Sequence, residues 1–174
     1  MMQDVKCLIP ETEIRDAVEH LGREITRDYA YCQLTILGIL TGSIVLVTDL
    51  MRQIAVPHQL GFVQASSYRG GVTAPGALHT DFSFLPEIAG RDILLVDDIF
   101  DTGRTITRIR HEIQKLQPRS IHSAVLLWKR VRTVVETQPD YFCFEIPDEF
   151  VVGYGLDYQG EYRHLRFIGV LPSG

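Results

Sequence analysis

Apolar residues recur along this chain at two spacings, and the alternation between them lays out the elements. Ile14, Val18, Leu21 and Ile25 fall three and four apart, the period of one helical face, and predict a first helix over about 11–29. Residues 34–40 form an uninterrupted apolar run of strand length, as expected of a strand covered on both faces of a parallel sheet. Thr41-Gly42-Ser43 breaks that run, and 44–54 resumes as a helix. Residues 60–66 read as a second strand, 79–84 as a short one, and 91–96 as another apolar run. Past it Ile106, Ile109, Ile113 and Leu116 again share a helical face, which Gln117-Pro118 ends. Further strands are expected at 120–127, 141–146, 150–152 and 167–171. Strand and helix alternate through the middle, so the expected fold class is α/β with a doubly wound, mainly parallel sheet. In such a sheet ligands gather at the carboxyl ends of strands, where strand order reverses. Thr41-Gly42 and Asp97-Asp98 both lie at such ends.

The apolar run that ends in acids carries the chemistry. Ile93-Leu94-Leu95-Val96-Asp97-Asp98-Ile99-Phe100-Asp101-Thr102-Gly103-Arg104-Thr105 delivers two adjacent carboxylates, then a third, then a small polar turn at the start of a helix. Backbone amides of Asp101 to Thr105 would be left unpaired there, and the helix dipole adds partial positive charge. That makes an anion site with an acidic rim. Carboxylates repel phosphate but accept hydrogen bonds from hydroxyls, so a ribose phosphate satisfies both halves. Helix capping alone explains one carboxylate and leaves two without a reason.

Composition narrows the class of protein. The 174 residues, 45% hydrophobic and 22% charged, suit one globular domain. A net charge of −5 supplies no basic face for nucleic acid, yet permits an anionic substrate held by local amides and a few cations. Cys7, Cys32 and Cys143 are odd in number and scattered, which suits reduced thiols and a cytoplasmic location. The first ten residues lack a signal-like apolar segment, and no run reaches membrane-spanning length, so no membrane partner is expected. The six His residues (20, 58, 79, 111, 122 and 164) show no metal-ligand spacing and read as surface or packing residues.

Residues 93–105 resemble the phosphoribosyl-diphosphate (PRPP) signature of type I phosphoribosyltransferases, and Asp at position 101 resembles the hypoxanthine-guanine branch. A second resemblance lies downstream. Residues 144–158, Phe-Glu-Ile-Pro-Asp-Glu-Phe-Val-Val-Gly-Tyr-Gly-Leu-Asp-Tyr, are similar to that branch's purine-binding segment, and Arg163 keeps its spacing. Leu127-Trp128-Lys129-Arg130 resembles the strand end that supplies a base-binding lysine, and 38–54 the loop that holds pyrophosphate. The similarity runs from about residue 34 to 171. Taken singly, Phe150 reads as core, Lys129 as a solvated strand end, Asp157 as a turn former and Arg163 as a surface ion pair. Two motifs in the family's order make the joint reading the stronger one.

The resemblance implies one phosphoribosyltransferase domain over 1–174, with the family's sheet, a small hood from the chain ends and a purine segment at 141–171. It implies transfer from PRPP to hypoxanthine, with guanine as a second base, helped by Mg2+, in a homodimer or homotetramer. Asp97, Asp98, Asp101, Thr102, Gly103, Arg104 and Thr105 would bind the ribose phosphate, with Asp101 as general base toward purine N7. Thr41, Gly42 and Arg163 would bind pyrophosphate. Lys129, Phe150, Val151 and Asp157 would bind the purine, and Asp97, Asp98 and Asp157 would serve the metal. The Gly-rich stretch 68–78 would be a closing lid, and Ser67-Tyr68 matches the family's loop dipeptide. Thr41 departs from the pattern, since the family usually places Lys or Arg there, with a cis peptide to the following Gly. Two rival readings are a pyrimidine-operon regulator with uracil transferase activity and a PRPP-sensing module without turnover. Asp101 and the lack of a basic face disfavour the first. Asp101, Lys129 and the purine segment would have no purpose in the second.

Overall fold

A computed structural model describes residues 5–67 and 78–171. The elements follow in the order β1 (Lys6–Ile9), α1 (Glu11–Asp28), β2 (Leu34–Leu40), α2 (Ile44–Gln53), β3 (His58–Ser67) and β4 (Leu78–Phe84). Then come β5 (Asp92–Phe100), α3 (Arg104–Gln114), β6 (Ser120–Trp128), a 3-10 turn (Arg130–Arg132), β7 (Tyr141–Glu145), β8 (Val151–Val152) and β9 (Ile168–Val170). Six strands form one sheet in the order β4-β3-β2-β5-β6-β7, parallel except where β4 returns antiparallel to β3. Strand order reverses between β2 and β5, which makes their carboxyl ends the switch point.

The pleat explains why β5 is apolar throughout. Leu94 and Val96 face the layer of α1 and α2, with Ile14, Val18, Leu21, Ile25, Leu46 and Leu50. Ile93 and Leu95 face the other layer, where α3 contributes Ile106, Ile109 and Ile113. Alternate side chains thus enter opposite layers, and both must be apolar. The chain ends form the hood, a small antiparallel sheet in the order β1-β9-β8, beside which Val152, Tyr162 and Leu171 make a small buried cluster.

Two expectations are corrected and one strand is added. The α3 helix stops at Gln114, and Leu116 is 45% exposed instead of joining its buried face. Leu116 and Gln117 close onto Ile113 and Gln114, and Gln117 turns to a left-handed φ of 56° before Pro118, which disfavours helix at that position. Strand β5 runs on to Phe100, so Asp97 and Asp98 belong to the strand, because β6 pairs with it as far as Phe100–Trp128. Strand β1 was not expected, since three of its four residues are exposed and only its pairing with β9 makes it a strand. The lid stretch falls almost wholly outside the described residues, Tyr68 included, and Ser67 is described only as the end of β3.

Candidate active site

At the switch point two glycines let three segments meet. A Cβ on Gly42 would collide with the Asp98 carboxylate, and one on Gly155 would collide with the Gly42 carbonyl. Gly155 also has a φ of 99°, a left-handed conformation that glycine adopts without cost. The loop after β2 therefore lies directly against the Asp98 side chain at the end of β5 on one side and against the backbone at Gly155 on the other. The peptide joining Leu40 to Thr41 is cis, one bond before the position expected from the resemblance, and Thr41 itself is exposed. Behind the turn, Ser43 donates its hydroxyl to the Ile39 carbonyl at 2.6 Å.

The strand pleat sends Asp97 and Asp98 to opposite sides of this junction, yet both line one cavity of about 310 Å³. Asp97 is only 8% exposed, and its Oδ1 accepts the Asp98 amide at 3.0 Å. Burial, reinforced by the neighbouring Asp98 charge, pushes the Asp97 carboxyl well above the usual carboxylate range. Burial also raises Asp98, against the pull of the Ile99 amide, the Asp97 side chain and the Arg163 charge. Two adjacent acids, one buried and one half-buried, with no ion pair of their own among the described residues, form a site built for something the protein itself does not supply.

The other wall of the cavity is made of Asp101, Thr102, Gly103 and Thr105 at the start of α3. The amides of Thr102, Gly103 and Thr105 have no acceptor among the described residues, and that of Arg104 meets only Thr102 Oγ1 at 3.5 Å. The residue at the N-cap, Gly103, has no side chain to cap this helix. Gly103 holds a φ of 80°, and a Cβ there would meet Val135 and would lie 2.7 Å from the Phe100 ring. The result is a nest of free donors at a helix N-terminus facing a carboxylate pair. The side chain of Arg104 is exposed and does not line the cavity, so its contribution is limited to its amide.

Next to this wall lies Lys129, 7% exposed, whose amide donates to the Phe100 carbonyl at 2.9 Å. Its ammonium stands 3.6 Å from Asp148. Asp101 accepts from Arg132 Nε at 2.8 Å, and that carboxylate raises the already high pKa of the guanidinium. Phe150 is 55% exposed and lies T-shaped to Tyr158, with ring centroids 5.6 Å apart. Val151 is buried in β8 and paired with Val170. Arg163 is spent on two partners, the Gly155 carbonyl at 2.5 Å and Asp157 at 2.7 Å. The second Asp157 oxygen accepts the Gly160 amide at 2.8 Å.

A family model for the phosphoribosyl transferase domain matches residues 10–159. The chain belongs to the phosphoribosyl transferase family. It is 42% identical over 168 residues to the hypoxanthine-guanine phosphoribosyltransferase of Streptococcus pneumoniae strain R6, covering 97% of this chain and 93% of that protein. It is 38% identical over 171 residues to the hypoxanthine phosphoribosyltransferase of Salmonella typhimurium, covering 97% and 96%. Among solved structures, a hypoxanthine phosphoribosyltransferase from Staphylococcus aureus superposes with a TM-score of 0.89 at 36% identity, covering 95% of this chain and 90% of that one.

Within this phosphoribosyl transferase the residues singled out in the sequence fall into two groups. Asp97, Asp98, Asp101, Thr102, Gly103 and Thr105 line a common cavity, and Gly42 abuts it through Asp98. The third carboxylate expected at the metal does not join them. Among the described residues no three His, Cys, Asp or Glu side chains converge to hold a metal ion, and the Asp157 carboxylate is engaged by Arg163 and Gly160. Sequence reasoning missed Arg132 and Asp148, which contact Asp101 and Lys129. The available signal was spacing, since Arg132 lies one short turn beyond Lys129. The three cysteines are free, as expected, and burial pushes the Cys143 thiol up to about 12. Among the described residues no helix is long and apolar enough to cross a membrane.

Proposed function

We propose that this phosphoribosyl transferase moves the 5-phosphoribosyl group of PRPP to N9 of hypoxanthine, and to guanine as a second base, releasing pyrophosphate. The observation that carries the reading is one cavity in which adjacent carboxylates, Asp97 buried and Asp98 half-buried, face a nest of amides with no backbone partner among the described residues. A ribose 5-phosphate has hydroxyls for the first and an anion for the second. Asp97 and Asp98 accept from the ribose 2′ and 3′ hydroxyls. The amides of Thr102, Gly103, Arg104 and Thr105, with the Thr102 and Thr105 hydroxyls, hold the 5′-phosphate. The Gly42 amide would bind the pyrophosphate, joined by Arg163 once it leaves the Gly155 carbonyl and Asp157.

As the anomeric bond to pyrophosphate lengthens, positive charge builds on the ribose and negative charge on the leaving group. Asp101 takes the proton from purine N7 as N9 bonds to the anomeric carbon, a role worth about 10²–10⁴-fold in rate. Lys129 donates to the 6-oxo group, and an exocyclic amine there would face a donor with a donor, which rejects adenine. The exposed ring of Phe150 stacks on the base. The Val151 carbonyl accepts from the purine edge, and the Asp157 carbonyl from a 2-amino group.

The donor set fits Mg2+ in one respect. A hard cation bound through one or two carboxylates, with substrate oxygens and waters completing its shell, suits Asp97 and Asp98. Asp157 joins them only by releasing Arg163. When bound, Mg2+ neutralises the departing pyrophosphate. We extend the same reading to a single domain over the whole chain, a lid over 68–78, a homodimer or homotetramer and a cytoplasmic location.

Pyrophosphate release with PRPP-Mg2+ and a panel of bases tests the proposal. Hypoxanthine and guanine are expected to turn over, with adenine and uracil inert. Turnover of uracil alone would favour the pyrimidine regulator. PRPP binding without turnover of any base would favour the sensing module.

A further inference from the structure

We infer that Arg132 and Asp148 are positioning residues that fix the Asp101 carboxylate and the Lys129 ammonium at the spacing of a 6-oxopurine's N7/O6 edge. The inference rests on the roles proposed above for Asp101 and Lys129. Four side chains alternate in charge. Lys129 Nζ stands 3.6 Å from Asp148 Oδ1, Arg132 Nη1 3.5 Å from Asp148 Oδ2, and Arg132 Nε 2.8 Å from Asp101 Oδ1. Each carboxylate oxygen of Asp148 thus serves a different cation, and the Arg132 guanidinium spans two acids with separate nitrogens. A guanidinium does this with fixed geometry, which a single ammonium does not.

The backbone repeats the link. Arg132 donates its amide to the Lys129 carbonyl at 3.0 Å, closing the 3-10 turn. Thr133 places its hydroxyl 3.3 Å from both the Lys129 and Asp101 carbonyls, and the Trp128 indole donates to that hydroxyl at 3.0 Å. The strand end that carries Lys129 and the loop that carries Asp101 are therefore one unit. Asp148 enters from the purine segment, whose Ile146 amide donates to the Trp128 carbonyl at 3.0 Å.

Stability is a poor reason for such a chain. Exposed ion pairs contribute little, and Arg132 and Asp148 are about half exposed. Geometry is a better one. N7 and O6 lie side by side on one edge of a purine, so the carboxylate that takes the N7 proton and the donor to O6 must be held together. With Oδ1 of Asp101 occupied by Arg132, Oδ2 has no partner among the described residues and is the oxygen presented to the base. The neighbouring Arg130 provides the contrast. Its guanidinium lies 4.0 Å over the Trp128 ring and pairs with Glu145 at 3.0 Å, away from both Asp101 and Lys129.

The test is a double-mutant cycle read by single-turnover nucleotide formation from PRPP-Mg2+ and hypoxanthine. Arg132→Met is expected to slow the step by about tenfold or more, leaving the PRPP dissociation constant within about twofold and the melting temperature nearly unchanged. In the Asp101→Asn background the same change should add nothing, because Arg132 acts through Asp101. Arg132→Lys should fall between wild type and Arg132→Met, and it carries the cycle if Arg132→Met does not fold. Asp148→Asn should raise the KM for hypoxanthine more than that for PRPP, and Arg130→Met should change neither. A rate within twofold of wild type for Arg132→Met, or effects that multiply with those of Asp101→Asn, would overturn the inference. If Asp101→Asn is slow while Arg132→Met is not, the inference alone fails. If Asp101→Asn is as fast as wild type, the assignment of Asp101 fails and takes the inference with it.

Discussion

Two acids on strand β5, Asp92 and Asp97, are both nearly buried and have opposite surroundings. Asp92, at the amino end, accepts from the Arg119 guanidinium and from Ser120 at 2.7 Å. Its carboxyl is held below its ordinary value, chiefly by the Arg119 hydrogen bond. Asp97, at the carboxyl end, has only one backbone amide and a like-charged neighbour, and is held well above. The amino end is closed on itself, and nearby Arg91 donates to Thr35 at 2.6 Å and to the Leu34 carbonyl at 2.8 Å. The carboxyl end leaves charge, amides and a cavity unanswered. One end stores stability and the other forgoes it for a ligand, which is how scaffold and site share a strand.

The contrast is broken most severely at Gly42. A side chain there must displace the Asp98 carboxylate, so Gly42→Leu is expected to abolish pyrophosphate release while the far-ultraviolet circular dichroism remains that of the folded protein. Next comes Asp101→Asn, expected to lower kcat by about 10²–10⁴-fold with PRPP affinity within a few fold, because the phosphate rests on backbone amides. Equal losses in both quantities would give Asp101 a structural role instead.

At the opposite end the expected effect moves to stability. Asp92→Asn should lower the melting temperature by roughly 3–6 °C at neutral pH and leave kcat unchanged at 25 °C. The sign with pH follows from the depressed carboxyl. Its contribution is present above the ordinary carboxylate pKa of about 4 and is lost as pH falls through the lower folded value. The difference between variant and wild type should therefore shrink on acidification, as read by melting curves at several pH values. The smallest effect is expected at Thr41. With the side chain exposed, Thr41→Lys should change pyrophosphate affinity in product inhibition by no more than about threefold.

The parts legible in the sequence were those that local spacing encodes. The face of α1 and the apolar runs of β2 and β5 read directly, because a helix or buried strand must show its period in its own residues. The clustering of Asp97, Asp98 and Asp101 with Thr102, Gly103 and Thr105 was legible for a similar reason, since one strand–turn–helix carries them all. Long-range relations were not legible. Strand β1 has exposed residues and exists only through β9. The pairing of Asp101 with Arg132, 31 positions further on, depends on how the loop after β5 and the turn after β6 approach each other, whereas the pair of Asp157 with Arg163 is local and was open to the reading of Arg163 as a surface ion pair. Arg104 shared the anion motif by position, yet its side chain points to solvent, which a linear motif does not encode.

Asp98→Asn tests the comparison between the two ends most directly, with melting temperature and turnover measured on the same sample. The substitution keeps the shape and removes one half-buried charge from a pair that desolvation already disfavours. The account predicts an unchanged or raised melting temperature together with loss of most pyrophosphate release from PRPP and hypoxanthine. A lowered melting temperature with turnover retained would make Asp98 a structural acid like Asp92 and contradict it.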